Sequence, residues 1–150
     1  MVGLLLALTG NAHGWALGLG VLAALYVARL GHELGHVLAG MPVFYLRGLY
    51  TSRSLVELRL EMGVRAVYVR PGELIRLYLG GCLANLGLGL VVGLLAVVSG
   101  AWTGALVLSL LSANLALGLG NLLPLRGLGT DGYNAYRMWQ ASHPAGAREC

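Results

Sequence analysis

The chain has 150 residues, 57% of them hydrophobic and only 11% charged, with a net charge of +4 and a mean hydropathy of +0.75. A water-facing domain carries roughly 25% charged residues, so the composition excludes an ordinary soluble globule and points to one integral membrane domain in a lipid bilayer. All ten basic residues are arginines, and they are clustered; that pattern reads as a topology signal and excludes a nucleic-acid partner.

Met1–Gly10 is apolar but shorter than the about 20 residues a helical span needs, and no basic residues precede Val2–Leu8 as they would in a cleavable signal peptide. Asn11–Gly14 interrupts the run. Trp15–Gly40 then predicts the first span, about 39 Å long at 1.5 Å per residue. That exceeds a hydrocarbon core of about 30 Å, so the helix must tilt or leave the core at one end. Trp15 suits one interface, His32 lies about 25 Å further on, and Pro42 ends the helix. Late in this span stands Arg-Leu-Gly-His-Glu-Leu-Gly-His, Arg29 to His36. Residues four apart share a helix face, so His32 and His36 can grip one metal ion with Glu33 beside them as a base. Ionisable groups inside an apolar span are costly and mark function by default. Arg29, one turn before His32, either orients a ligand or reaches a polar interior.

Val43–Arg70 changes character. Leu58, Leu60 and Met62 alternate with Glu57, Arg59 and Glu61, which predicts a half-buried strand. Gly63 is read as a turn, Val64–Val69 as a second strand, and Phe44–Tyr50 as a further one. Pro71-Gly72 breaks this insert. Glu73–Val98 is the second predicted span, with Gly81, Asn85, Gly89 and Gly93 at steps of four as a small-residue packing stripe. Ser99-Gly100 is an uncharged turn. Trp102–Leu123 is the third span, ended by Pro124, with Asn114, Gly118 and Asn121 on one face. A glycine-containing loop leads to Asp131-Gly132 and a short tail whose first turns are helical. The fold class is therefore an all-α polytopic membrane protein: three core transmembrane helices with a small β-hairpin or sheet insert between the first and second.

Six arginines lie between spans one and two, none between spans two and three, and three after span three. The positive-inside rule then puts the strand insert and the C-terminus in the cytoplasm and the Trp15 end outside. The same topology brings Asp131, the only aspartate in the chain, to the depth of His32 and His36. Catalytic zinc takes three protein ligands from His and carboxylate and keeps a fourth position open, and these three residues meet that count. The plain alternative for Asp131 is a helix cap before the tail.

At these residues the chain resembles the site-2 protease family of intramembrane zinc metalloproteases, in a minimal form. Three features carry the resemblance: His-Glu-Leu-Gly-His at His32–His36; Gly81-Cys82-Leu83-Ala84-Asn85, similar to the family's G-P-x-x-N; and Asn121-Leu122-Leu123-Pro124 followed by Asp131-Gly132, similar to N-x-x-P-x-x-x-x-D-G. The match covers roughly Ala23 to Met138. Cys82 stands where the family has proline, and six residues separate Pro124 from Asp131 where the family has four. The resemblance implies one Zn2+ per chain on His32, His36 and Asp131, with Glu33 as general base toward a zinc-bound water. It places Asn85 and Asn121 near the substrate or the reacting oxygen. It further implies a transmembrane protein or peptide as substrate, locally unwound and paired with an edge of the insert as an added strand, and a multi-pass location in a bacterial or archaeal cell membrane with the site toward the cytoplasm. The chain shows no PDZ-like domain, so regulation calls for a partner chain. The rival expectation is a catalytically inactive homologue that binds membrane proteins without cutting them, supported by the longer loop before Asp131.

Overall fold

Stretches of leucine, alanine, valine and glycine almost free of charge form the long elements. A computed structural model describes residues 12–41, 43–51, 58–65, 68–100 and 104–143. In chain order these form helix α1 (Ala12–Gly40), strands β1 (Phe44–Thr51) and β2 (Leu58–Val64), helices α2 (Pro71–Ser99) and α3 (Ala105–Leu122), a 3-10 turn at Arg126–Leu128, and helix α4 (Asp131–Ser142). Three helical stretches, Leu17–Gly40, Pro71–Ser99 and Ala105–Leu122, are long and apolar enough to cross a membrane. They coincide with the three expected spans; the first two residues of the third, Trp102 and Thr103, lie outside the described residues, as do Met1–Gly10 and Pro42.

The bundle turns its large apolar side chains outward. Leu19, Leu38, Leu90, Leu95, Val98 and Leu106 are exposed, whereas the buried set on the helices includes Ala24, Ala28, Cys82, Asn85, Ala113 and Asn114. Small interior residues let helix backbones approach closely where the surroundings are not water. Gly35 and Gly80 meet backbone to backbone, since a Cβ on Gly35 would strike the Gly80 carbonyl. Gly40 lies against Leu77 and Gly31 against Leu88, so α1 and α2 run antiparallel. Helix α3 closes the third side: Ala113 packs with Ala24 and Ala28, and Gly118 lies beside Leu86 and the Cys82 carbonyl. The glycine stripe of α2 is divided between neighbours. Gly89 and Gly93 face Asn114, Leu115 and Leu111 of α3, while Gly81 faces the two histidines of α1.

Local chemistry ends each helix. Pro71 opens α2 at a position where its missing N–H costs nothing, and the Arg70 backbone N–H donates to the Glu73 carboxylate at 2.8 Å. Gly100 adopts φ +67 and donates its N–H to the Ala96 and Val97 carbonyls, a left-handed cap that glycine tolerates without strain. Helix α3 stops before Pro124, as expected.

The insert is a two-stranded antiparallel hairpin, Phe44 opposite Val64 through Thr51 opposite Leu58, with a bulge between Leu46 and Gly48. The expected Leu58–Met62 strand is present, but Gly63 is not a turn. The strand runs through it to Val64, and the Arg65 N–H extends the pairing to the Val43 carbonyl at 2.8 Å. Among the described residues of the expected Val64–Val69 strand, only Val64 is in the ladder, and Arg65, Tyr68 and Val69 are not strand; residues 66 and 67 lie outside the described set. Glycine serves here for close approach, because the Tyr45 ring fills the space its Cβ would take. The connection between the strands falls at residues 52–57, also outside the described residues. Val43, Phe44, Met62, Val69, Leu74 and Leu77 pack together and seat the hairpin against the adjoining ends of α1 and α2.

Candidate metal centre

His32 and His36 occupy successive turns of α1, as their spacing requires, and Gly81 of α2 gives them room. A Cβ on Gly81 would stand 2.6 Å from His36 Nε2 and 2.8 Å from His32 Nε2. The two rings meet edge to face with centroids 4.7 Å apart.

The third member arrives from 99 residues away. Asp131 Oδ2 lies 2.9 Å from His32 Nε2 and 3.4 Å from His36 Nε2, and the two Nε2 atoms are 3.2 Å apart. His32, His36 and Asp131 are therefore close enough to hold a metal ion. Donors about 2.0–2.1 Å from one tetrahedral zinc ion stand about 3.3 Å from each other, so the triangle has the size such an ion requires. Cys82 Sγ is 4.0 Å from Asp131 Oδ2 and lies outside the converging set.

Contacts behind the ligands decide which ring nitrogen is offered. His36 Nδ1–H donates to the Leu77 carbonyl at 2.8 Å, which leaves the Nε2 lone pair facing the centre. One end of the Asn85 amide meets His32 Nδ1 at 3.3 Å, and the other end has no partner. The two ends interchange by rotation about the last side-chain bond. With Oδ1 toward the ring, His32 Nδ1–H donates to it and Nε2 is free to ligate. With Nδ2 toward the ring, Nε2 keeps the proton and donates to Asp131. Asn85 is fully buried and His32 is 2% exposed, so bulk water does not compete for these contacts.

Burial works to raise the Asp131 carboxyl, but His32 and His36 outweigh it, by hydrogen bonds donated when their Nε2 atoms carry protons, and hold the group below the usual carboxylate range. Positive charge in the place of those protons would likewise favour the ionised carboxylate. Glu33, also buried, faces back along α1, with Oε1 2.8 Å from Arg29 Nη2.

The longer loop before Asp131 is taken up locally. Arg126–Leu128 coil into a 3-10 turn and Gly129 takes φ +59. The Thr130 hydroxyl donates to the Leu123 carbonyl and accepts from the backbone N–H groups of Leu125, at 3.2 Å, and Tyr133, at 3.4 Å. Thr130, not Asp131, is the cap of α4, so the Asp131 side chain is left for the site. Gly132 lets this helix start against α3, because a Cβ there would strike the Leu122 carbonyl.

Of the residues expected at the site, His32, His36 and Asp131 are in mutual contact, Asn85 reaches His32, and Glu33 adjoins them on α1. Asn121 is half-buried near the end of α3, and its side chain makes none of the contacts described above. Sequence reasoning missed three contributors: the Leu77 carbonyl, which has no side-chain signature; Gly81, which was read only as packing; and Thr130. For Thr130 a signal existed, since threonine directly before Asp-Gly is a helix-start pattern. No protein-family model, curated protein or solved structure matches this chain.

Proposed function

We propose that the chain is an intramembrane zinc metalloendopeptidase of the site-2 protease type, cutting peptide bonds in or near transmembrane segments. The observation that carries this reading is the convergence of His32 Nε2, His36 Nε2 and Asp131 Oδ2, beside a glutamate on the same helical turn. The tautomer of His36 and the ionised state of Asp131 supply two of the donors, and the amide rotation of Asn85 adjusts the third. The outward apolar faces of the three long helices fit a bilayer, and the arginine asymmetry puts the site nearer the cytoplasm.

One zinc ion, when bound, supplies Lewis-acid polarisation of a carbonyl and acidifies water toward a pKa of about 7. The residues perform the rest. Glu33 takes a proton from the attacking water as its oxygen bonds to the scissile carbonyl carbon, then delivers that proton to the nitrogen as the carbon–nitrogen bond breaks. Asn85 and Leu77 hold the imidazoles in register. A membrane helix hides its carbonyls in internal hydrogen bonds, so the substrate reaches the site as a locally unwound strand. The two-stranded hairpin offers edges for such a strand to join.

The test is a set of three variants, each measured for zinc content and for cleavage of a transmembrane reporter. Glu33→Gln keeps the ion and the fold but loses about 100- to 10,000-fold in rate, the usual worth of general-base catalysis. His36→Ala loses both zinc and cleavage. Asp131→Asn falls between them, because a neutral amide ligates more weakly than a carboxylate. Full activity in Glu33→Gln, or no stoichiometric metal in unchelated protein, refutes the reading.

A further inference from the structure

Arg29 and Glu33 are the only Arg, Lys, Asp or Glu side chains between Leu17 and Gly40, and they pair at 2.8 Å with Arg29 one-third exposed. Helix stability does not account for this pair. A basic residue four positions before an acidic one is the less favourable order on a helix. Charged groups in an apolar span are costly, and an apolar pair of similar volume serves packing as well or better. The 2.8 Å contact is made by Oε1 of Glu33; a pair closed through one carboxylate oxygen leaves the other to take a proton.

We propose that Arg29 is a positioning residue that fixes the Glu33 carboxylate through Oε1 so that Oε2 acts as the base, a role that rests on the peptidase reading above. A glutamate side chain has three rotatable bonds. The guanidinium removes most of that freedom from the helix turn behind, on the same strip of α1 as His32 and His36. A planar fork does this better than a point charge, which accounts for arginine at this position.

The experiment compares Arg29→Met and Arg29→Lys in the wild-type and Glu33→Gln backgrounds. Arg29→Met is expected to keep its zinc and its KM within about twofold and to lose about 100-fold in kcat, the scale of a small misplacement of a reacting group. Arg29→Lys is expected to recover to within about tenfold of wild type. Because Arg29 acts through Glu33, Arg29→Met lowers the rate no further in the Glu33→Gln background. An unchanged kcat in Arg29→Met overturns the proposal, as does an equal loss in both backgrounds.

A second measurement needs no turnover and no metal. In metal-free protein labelled with 13C-carboxyl glutamate, the infrared band lost in Glu33→Gln belongs to Glu33, one of five glutamates. That band must move in Arg29→Lys or Arg29→Met; an unmoved band overturns the pairing, and loss of the fold in both variants makes Arg29 structural and overturns it too. Wild-type protein that cleaves no faster than Glu33→Gln defeats the peptidase reading, while the infrared band separately decides whether the pair exists.

Discussion

A hydrogen atom in place of a methyl group decides whether the centre can exist. The side chain Gly81 lacks would stand 2.6 Å from His36 Nε2 and 2.8 Å from His32 Nε2, closer than carbon and nitrogen can pack. Gly81→Ala should therefore push the rings apart while leaving most of the helix contacts intact. Overpacking of this kind costs about 1–3 kcal/mol, which at a binding site is about 5- to 140-fold in affinity. Competition titration with a chromophoric zinc chelator measures it, and unchanged affinity shows that the neighbouring helix does not confine the imidazoles. At this scale much was legible. A histidine–glutamate–histidine spacing carries its own geometry, and a sole aspartate past the third span has few other partners. What escaped were contributions that residue type does not encode: a backbone carbonyl at Leu77, the absence of a side chain at Gly81, and the direction in which Glu33 is drawn by Arg29.

Among the elements, helices read more faithfully than the hairpin. Long apolar runs bounded by Pro71, Gly100 and Pro124 mark helix limits because each boundary residue acts locally. Gly63 defeated the same logic: glycine serves both turns and close approaches, and only the facing Tyr45 ring distinguishes them. The loop before Asp131 resisted counting for a related reason, since its residue number says nothing about how tightly it coils. Gly129 makes the coiling affordable with φ +59 and open space around it. Gly129→Ala should thus suffer from backbone conformation alone, by about 1–2 kcal/mol, and should hold zinc more weakly because Asp131 is displaced. Gly127→Ala is the matched control, also in open space but without a positive φ. It should be neutral or gain up to about 1 kcal/mol. Thermal unfolding and zinc titration of the pair check this; equal behaviour would mean that the left-handed turn does not set the aspartate.

For the molecule as a whole, the arginine distribution predicts which way the proposed membrane protein faces. Labelling of Gly100→Cys from outside only, and of Arg65→Cys from the cytoplasmic side only, in a background of Cys82→Ala and Cys150→Ser, is the expected pattern. Reaction of position 100 solely from the cytoplasm inverts the topology. The inside-out distribution of large and small residues was foreshadowed by composition, whereas the partners of each buried amide depended on helix rotation, which composition does not specify. One further property follows from where the ligands sit in the chain. His32 belongs to the first described helix and Asp131 opens the last, 99 positions on. An ion gripping both acts as a clasp that closes the polypeptide into a circuit, and in its absence the clasp is only a hydrogen bond. The C-terminal helix, shortest of the four, is the piece that an open clasp releases most readily, and its tether contains an exposed trypsin site at Arg126. Chelation should accordingly speed cutting after Arg126 well before the bundle unfolds, with mass spectrometry identifying the fragment; equal rates with and without metal would show that the clasp carries no tension. A protein built this way reports the state of its own centre in the looseness of its tail.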